Sequence, residues 1–297
     1  TPESTYQEMW QTILRGEVWQ GELVNRTKLG MHYDASLTVA PIYNEQGEMT
    51  GFVGIQSDIS RLKNVDRLKS QFITDVSHEL RTPVTNLKLY TDLLMRTPAE
   101  KHGRYFEVLQ IQVSRLEQII EDILTLSRLE GNRLNLEPNP VDINMIAAQS
   151  VKTLQSKAKA AGLAVNFMPY PSAELVCSEP ALLRQLINSL AQNAINYTSE
   201  GKVDIIISQP PDSGFVELVV KDTGAGIDAE ERPFIFDRFF RGKIASHSNI
   251  SGSGLGLTIV REIVELLDGK IELESELGKG TKVTVRLKTV AASRLCH

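Results

Sequence analysis

The residues that could do chemistry fall into a few short runs. In Ser77-His78-Glu79-Leu80-Arg81-Thr82-Pro83 an imidazole is followed directly by a carboxylate. His78 lies two residues from both Val76 and Leu80, about 200° round a helix from each, so it points away from the apolar positions and into solvent. An accessible imidazole is a nucleophile near neutral pH. Glu79 could accept a hydrogen bond from one ring nitrogen and leave the other free to attack. Taken alone, the run also reads as an ordinary exposed histidine on a charged helix face. The His-Glu pair opens a zinc pattern too, but Thr82 stands where the second histidine would be, and zinc is set aside.

The stretch LINSLAQNAINYT, residues 186–198, is amphipathic at helical spacing and opens at Glu179-Pro180, a helix start signal. Asn193 in it could offer an amide oxygen to Mg²⁺, a hard cation that prefers oxygen, or could simply be a surface amide. Asp222-Thr223-Gly224-Ala225-Gly226-Ile227 follows an apolar strand. Its glycines let the backbone approach a ligand closely, and Asp222 could accept from an exocyclic amine such as adenine N6. Gly252-Ser253-Gly254-Leu255-Gly256-Leu257 runs into a helix, an arrangement whose amides hold phosphate. A Rossmann site would need a strand before this loop, but GKIASHSNIS, residues 242–251, is polar. A Walker loop would need Gly-Lys-Ser/Thr, which is absent.

Positioning these runs requires several distinct pieces. The chain has 297 residues, 41% of them hydrophobic, enough for two or three modest domains. A net charge of -5 supplies no basic field, so no nucleic-acid partner is expected. Cys177 and Cys296 lie far apart and form no ligand or disulfide pattern, which fits a reducing cytosol. No apolar run reaches the roughly 20 residues that cross a bilayer, so a membrane is expected only through segments absent from this chain. His32, His102, His247 and His297 have no partners at metal spacing.

Tyr33, Ala35, Leu37 and Val39 alternate with polar residues, a half-buried strand. A loop at 44–47 and a third strand through Phe52, Val53 and Ile55 follow. From about residue 60 the period becomes helical, with a break or kink expected near Pro83. A second helix carries Phe106, Leu109, Val113, Leu116, Ile120 and Ile123 at alternating steps of three and four, a heptad seam. One such hairpin cannot bury its stripe alone, so a homodimeric four-helix bundle through helices 60–130 is expected. Pro138-Asn139-Pro140 marks a linker, with a hinge expected over 131–141. Beyond it, helices are expected near 142–160, 180–197 and 256–268. Strands are expected near 163–168, 202–208, 215–221, 270–275 and 281–288. They describe one mixed sheet with helices on one face.

FITDVSHELRTP, residues 72–83, resembles the H-box of sensor histidine kinases of two-component systems. The resemblance implies that His78 is the phospho-acceptor, Glu79 its general base, and Thr82 the residue that orients water in a phosphatase reaction. The later runs are similar to the family's remaining boxes, in family order over residues 60–290. That likeness implies Asn193 as the Mg²⁺ ligand, Tyr197 beside the nucleotide, and Asp222 with Gly224 and Gly226 at adenine. It further implies Arg238 or Arg241 of FDRFFR (236–241) at the phosphates, under a lid at 242–256. Gly252, Gly254, Leu255 and Gly256 would form the phosphate loop, and Thr281, after the turn at 278–280, would lie near adenine. Two positions depart from the pattern: Ser189 replaces a second asparagine, with Asn188 adjacent, and Asn196 replaces a lysine. The loss of that cation removes one phosphate contact.

Residues 1–58, ending in GFVGIQSDIS, resemble the second half of a PAS sensor domain. The expected protein is thus a multidomain α+β chain. It comprises a partial PAS sheet (1–58), a dimerisation and phosphotransfer hairpin (59–131), a Bergerat-type α/β-sandwich ATP-binding domain (132–290) and a tail (291–297). The implied activity is autophosphorylation of His78 from Mg-ATP and transfer to a response-regulator receiver domain, in the cytoplasm. The rival readings are an ATPase of the Hsp90, gyrase and MutL kind, and a dimeric ATP-binding scaffold with weak kinase activity.

Overall fold

The structure, a computed structural model, describes residues 1–131, 138–211, 213–244, 252–293 and 296. Residues 132–137 of the expected linker (131–141) and most of the expected lid (242–256), namely 245–251 with His247, lie outside the described residues, as does His297. The chain divides into two compact units, Thr1–Ser77 and His78–His297.

In the first unit, helix α1 (Glu3–Leu14) precedes an antiparallel sheet in the order β1 (Trp19–Arg26), β2 (His32–Tyr43), β3 (Met49–Asp58). The alternation in β2 works as its spacing predicts. Ala35 and Val39 are buried with Ile13, Trp19 and Leu23, and Tyr33 and Leu37 pack beside them. Helix α2 (Ser60–Arg96) starts at Asp58, whose carboxylate accepts from the Ser60 amide at 2.9 Å. Lys63 pairs with Glu22 at 2.7 Å and Asp34 at 3.4 Å, tying the first turns of the helix to the sheet.

α2 is one helix with Pro83 inside it, so the break expected there is absent. Proline removes one backbone donor and strains one turn, at a cost of about 3 kcal/mol. Here its ring is buried, and that contact offsets part of the loss.

The second unit begins with the remainder of α2, which is followed by α3 (His102–Gly131). Tyr90 meets Tyr105 at 5.8 Å between ring centres, Asn86 donates to Gln112 at 3.4 Å, and Arg115 pairs with Glu79. The two helices therefore run antiparallel. Of the predicted seam, Phe106, Val113 and Ile120 remain about half exposed. A different face of α3, carrying Ile119, Asp122, Leu126 and Leu129, is buried.

The rest forms a five-stranded mixed sheet. Its strands are β5 (Ala164–Met168), β7 (Lys202–Ser208), β8 (Phe215–Asp222), β9 (Lys270–Glu276) and β10 (Gly280–Lys288), in the order β5-β7-β8-β10-β9. Only β5 and β7 pair in parallel. α4 (Ile143–Ala160) is capped by Asp142, which accepts from the Asn144 amide at 2.8 Å. α5 (Pro180–Asn196) starts on its proline, and α6 (Gly256–Leu266) on the second glycine loop. These helices cover one face of the sheet, burying Leu183, Leu186, Ile205, Leu218, Ile259 and Val285 almost completely. The opposite face carries charges at the alternate positions, including Arg286 paired with Glu217 and Glu272. Among the described residues, no helix is long and apolar enough to cross a membrane.

A short ribbon of β4 (Asn139–Val141) and β6 (Val176–Ser178) lies outside the sequence expectation. It also corrects the reading of the cysteines. After β10 the chain returns along β6, with Thr289 bridging Val176 and Val290 donating to the Leu175 carbonyl at 2.9 Å. That return brings Cys296 to Cys177 in a disulfide, with Cα atoms 5.9 Å apart across 119 residues. Distance along the chain was no guide, because strand pairing decides which ends meet. Closing so long a loop restricts the unfolded chain, and native bridges are typically worth about 2–4 kcal/mol. Reduction should lower the stability of the chain by that order, read as an earlier midpoint in urea with dithiothreitol than without.

Candidate active site

The site is built around the C-terminal half of α5. Its buried face is Leu186, Ile187, Leu190, Ala191, Ala194 and Ile195. That pattern turns Asn188, Ser189, Gln192, Asn193 and Asn196 toward a cleft of about 1130 Å³. Tyr197, Phe240, Arg241, Gly252, Gly254 and Gly256 line the same cleft, so the predicted metal ligand, aromatic, cation and phosphate loop are brought together. The other wall is α3, through Glu107, Gln110, Ile111, Ser114, Arg115, Gln118 and Asp122. Burial pushes the Tyr197 phenol up from its ordinary value, and the Arg241 charge opposes that shift. Burial pushes the Lys157 ammonium, at the cleft edge, down.

Asp222, Gly224, Gly226 and Thr281 form a neighbouring cluster. Asp222 is 7% exposed, and one of its carboxylate oxygens, Oδ1, accepts from the Gly224 amide at 2.8 Å and the Thr281 amide at 3.1 Å. Burial pushes its carboxyl up, and those two amides partly offset the shift. The Ala225 amide donates to the Tyr197 carbonyl at 3.0 Å, which joins this cluster to the end of α5. Two glycines are needed for this contact. A Cβ on Gly224 would lie 2.3 Å from the Tyr197 carbonyl oxygen, and one on Gly280, at φ +100°, would lie 2.2 Å from the Asp222 carbonyl oxygen. Gly224→Ala should therefore destabilise the fold by about 1–3 kcal/mol and displace Asp222. A urea midpoint and an AMPPNP titration on the same variant would register both effects.

His78 is exposed on α2 and lies outside the cleft, as does Thr82 one turn later, whose hydroxyl donates to the His78 carbonyl at 3.4 Å. Glu79 is half-buried, and Oε2 of its carboxylate accepts from Arg115 Nη2 at 2.9 Å. Leu255 is buried at the start of α6, and its amide donates to Ser253 Oγ at 3.1 Å. Arg238 is partly buried and does not line the cleft.

The sequence reading missed the α3 wall. Asp122, 4% exposed, accepts from Ser253 Oγ at 2.5 Å and from Gln118 Nε2 at 2.8 Å. Burial pushes its carboxyl up against those bonds. A signal was available: Asp122 stands three residues after Ile119 and four before Leu126, on a face otherwise apolar.

The donors fit a hard divalent ion. Asn193 presents an amide to the cleft beside Gly256, and the Oδ1 of Asn188 is a buried oxygen acceptor without a hydrogen-bond partner. Among the described residues no group of three or more His, Cys, Asp or Glu side chains could hold a metal. An ion here would use amide oxygens together with the phosphates of a nucleotide.

Two segments of the chain match known protein families. Residues 68–132 match the His Kinase A (phospho-acceptor) domain, and residues 178–291 match the family of histidine kinase-, DNA gyrase B- and HSP90-like ATPases. Drug sensory protein A of Synechocystis is 32% identical over 78% of this chain and 37% of its own length. The chain therefore spans well under half of that relative. The Acinetobacter baumannii histidine kinase AdeS aligns with a TM-score of 0.58 at 26% identity, over 71% of this chain and 98% of that one. Full-length ShkA, in a crystal structure with AMPPNP, aligns with a TM-score of 0.55 at 26% identity, over 76% of this chain and 47% of that one.

Proposed function

The chain belongs to the sensor histidine kinases, and we propose that it uses Mg-ATP to phosphorylate its own His78 and then offers the phosphoryl group to an aspartate of a response-regulator receiver domain. One observation carries the reading. The cleft that gathers Asn193, Tyr197, Arg241 and the glycine loop has as its second wall α3, the hairpin partner of the helix that bears His78.

In this reading ATP enters the cleft with its adenine at Asp222 and its phosphates at Asn193, Arg241 and the loop at 252–256. Mg²⁺, held by Asn193, would neutralise phosphate charge as it moves to the leaving oxygen. A ring nitrogen of His78 forms the new bond to the γ-phosphorus in line with the departing ADP. Glu79 accepts the proton from the other ring nitrogen. His78 lies outside the cleft, so the ATP-binding domain (132–290) must move relative to the hairpin (59–131) for transfer. The exposed Phe106, Val113 and Ile120, seven residues apart along α3, are the face for a second copy. Thr82, exposed one turn from His78, is the residue we assign to orienting water in a phosphatase reaction, the hydrolysis of the receiver's phosphoaspartate. Residues 1–58 would be the end of a PAS-type sensor segment, with α2 as its output.

A plain ATPase of the gyrase or Hsp90 kind leaves the phospho-acceptor match over 68–132 without a role. The test is incubation with γ-labelled Mg-ATP followed by addition of a receiver domain. Acid-labile, alkali-stable label that then moves to the receiver is expected. ATP hydrolysis without a labelled chain would sink the reading.

A further inference from the structure

Among the described residues, four cations line the cleft: Arg115, Lys157, Arg184 and Arg241. Only Arg115 among them is seen to reach the acid next to His78. Its Nη2 holds Oε2 of Glu79 at 2.9 Å, and the two side chains are 18% and 26% exposed. One oxygen of Glu79 is thus fixed, which leaves Oε1 to meet an imidazole. The same guanidinium carries a second feature. Its Nε is buried and has no hydrogen-bond partner. A buried, permanently charged donor without an acceptor is costly, and it is satisfied most readily by an anion entering beside it. Arginine suits such a double task, because its planar guanidinium carries five N–H donors and can bond more than one oxyanion at a time.

We propose that Arg115 is a catalytic cation of the transfer step. In this role Nη2 positions Glu79 beside His78, and the buried Nε edge takes an oxygen of the γ-phosphoryl group as ATP in the cleft is brought to the imidazole. The inference rests on the kinase reading above and adds a residue to it. The bond between His78 nitrogen and γ-phosphorus forms as the bond from phosphorus to the bridging oxygen breaks. The electron pair leaves with ADP, and the imidazole proton passes to Glu79. Arg115 exchanges no proton; it holds the base and offsets charge on the transferred group.

The experiment is single-turnover labelling of the full chain at saturating Mg-ATP, with AMPPNP affinity measured in parallel. Arg115→Gln should lower the labelling rate by about 10²–10³-fold, the usual effect of deleting one charge-stabilising donor. AMPPNP affinity should stay within about threefold, because the contact is made in transfer rather than in binding. Arg115→Lys, which keeps the charge without the fork, should recover about tenfold. Losses in Arg115→Gln with Glu79→Gln should combine to less than their product, since the two residues act as one unit. A labelled wild type with an unaffected Arg115→Gln overturns the proposal alone. So does a parallel collapse of AMPPNP affinity, no recovery with lysine, or losses that multiply. A wild type that takes no label overturns the kinase reading and the role of Arg115 together.

Discussion

His78→Ala should leave the chain folded and able to bind AMPPNP, while acid-labile labelling from Mg-ATP should fall to background, a loss of at least about 10⁴-fold. The separation of the two readouts follows from where the side chain sits. His78 is exposed in the middle of α2, and alanine is the best helix former. Substitutions at such positions usually change stability by less than about 0.5 kcal/mol. The residue lines no part of the cleft, so nucleotide affinity has no reason to change. In the proposed reaction what disappears is the nucleophile, which the next side chains along the helix, a carboxylate, a leucine and a guanidinium, would not replace. Melting, AMPPNP titration and labelling on the one variant make the test. Persistent label would move the acceptor elsewhere.

Asp222→Asn has the opposite profile. Nucleotide binding should weaken by about 1.5–3 kcal/mol, roughly 10- to 150-fold, the worth of a hydrogen bond to a charged group. Asparagine keeps a carbonyl oxygen for the Gly224 and Thr281 amides, so the local fold survives. Its nitrogen then stands where the second carboxylate oxygen was, and in the proposed pose a donor would face the donor on adenine. Stability should not fall and should rise slightly. Burial raises the Asp222 carboxyl above its ordinary value, so the folded chain holds that proton more tightly than the unfolded chain. The charged form therefore destabilises the fold. That penalty grows as pH climbs from the ordinary carboxylate range through the folded value and is complete above it. Asparagine removes it at neutral pH. A variant that binds AMPPNP weakly yet melts no earlier is expected; weak binding with a much earlier melt would mean that Asp222 is structural.

The strands of the five-stranded sheet were legible because Val203, Ile205 and Ile207, or Val216, Leu218 and Val220, alternate between a buried and an open face. The start of α5 was legible because Glu179-Pro180 fixes a first turn. The ribbon at Asn139–Val141 and Val176–Ser178 was not, since three residues carry no period and Pro140 argues against a strand. The pairing of Cys177 with Cys296 depends on that ribbon and was lost with it. On α3, the heptad positions Phe106, Val113 and Ile120 obscured a second stripe through Ile119 and Leu126. One helix serves two neighbours, and a single periodic template finds only the stronger. Of the candidate site, the glycine loops and Asn193 were visible because a backbone approach or a lone amide leaves a local mark. Arg115 and Asp122 matter through contacts with residues 36 and 131 positions away, which no local pattern encodes.

The bond between Asp122 and Ser253 has a thermodynamic corollary. The serine sits inside the glycine loop, so if bound nucleotide draws the loop away from α3 it breaks this bond. Affinity for nucleotide and affinity of the two walls for each other then form a single cycle. By whatever factor the closed walls weaken nucleotide binding, bound nucleotide must loosen the walls by the same factor. In the proposed reaction, nucleotide binding and release of the loop from α3 would then be two readings of one equilibrium constant.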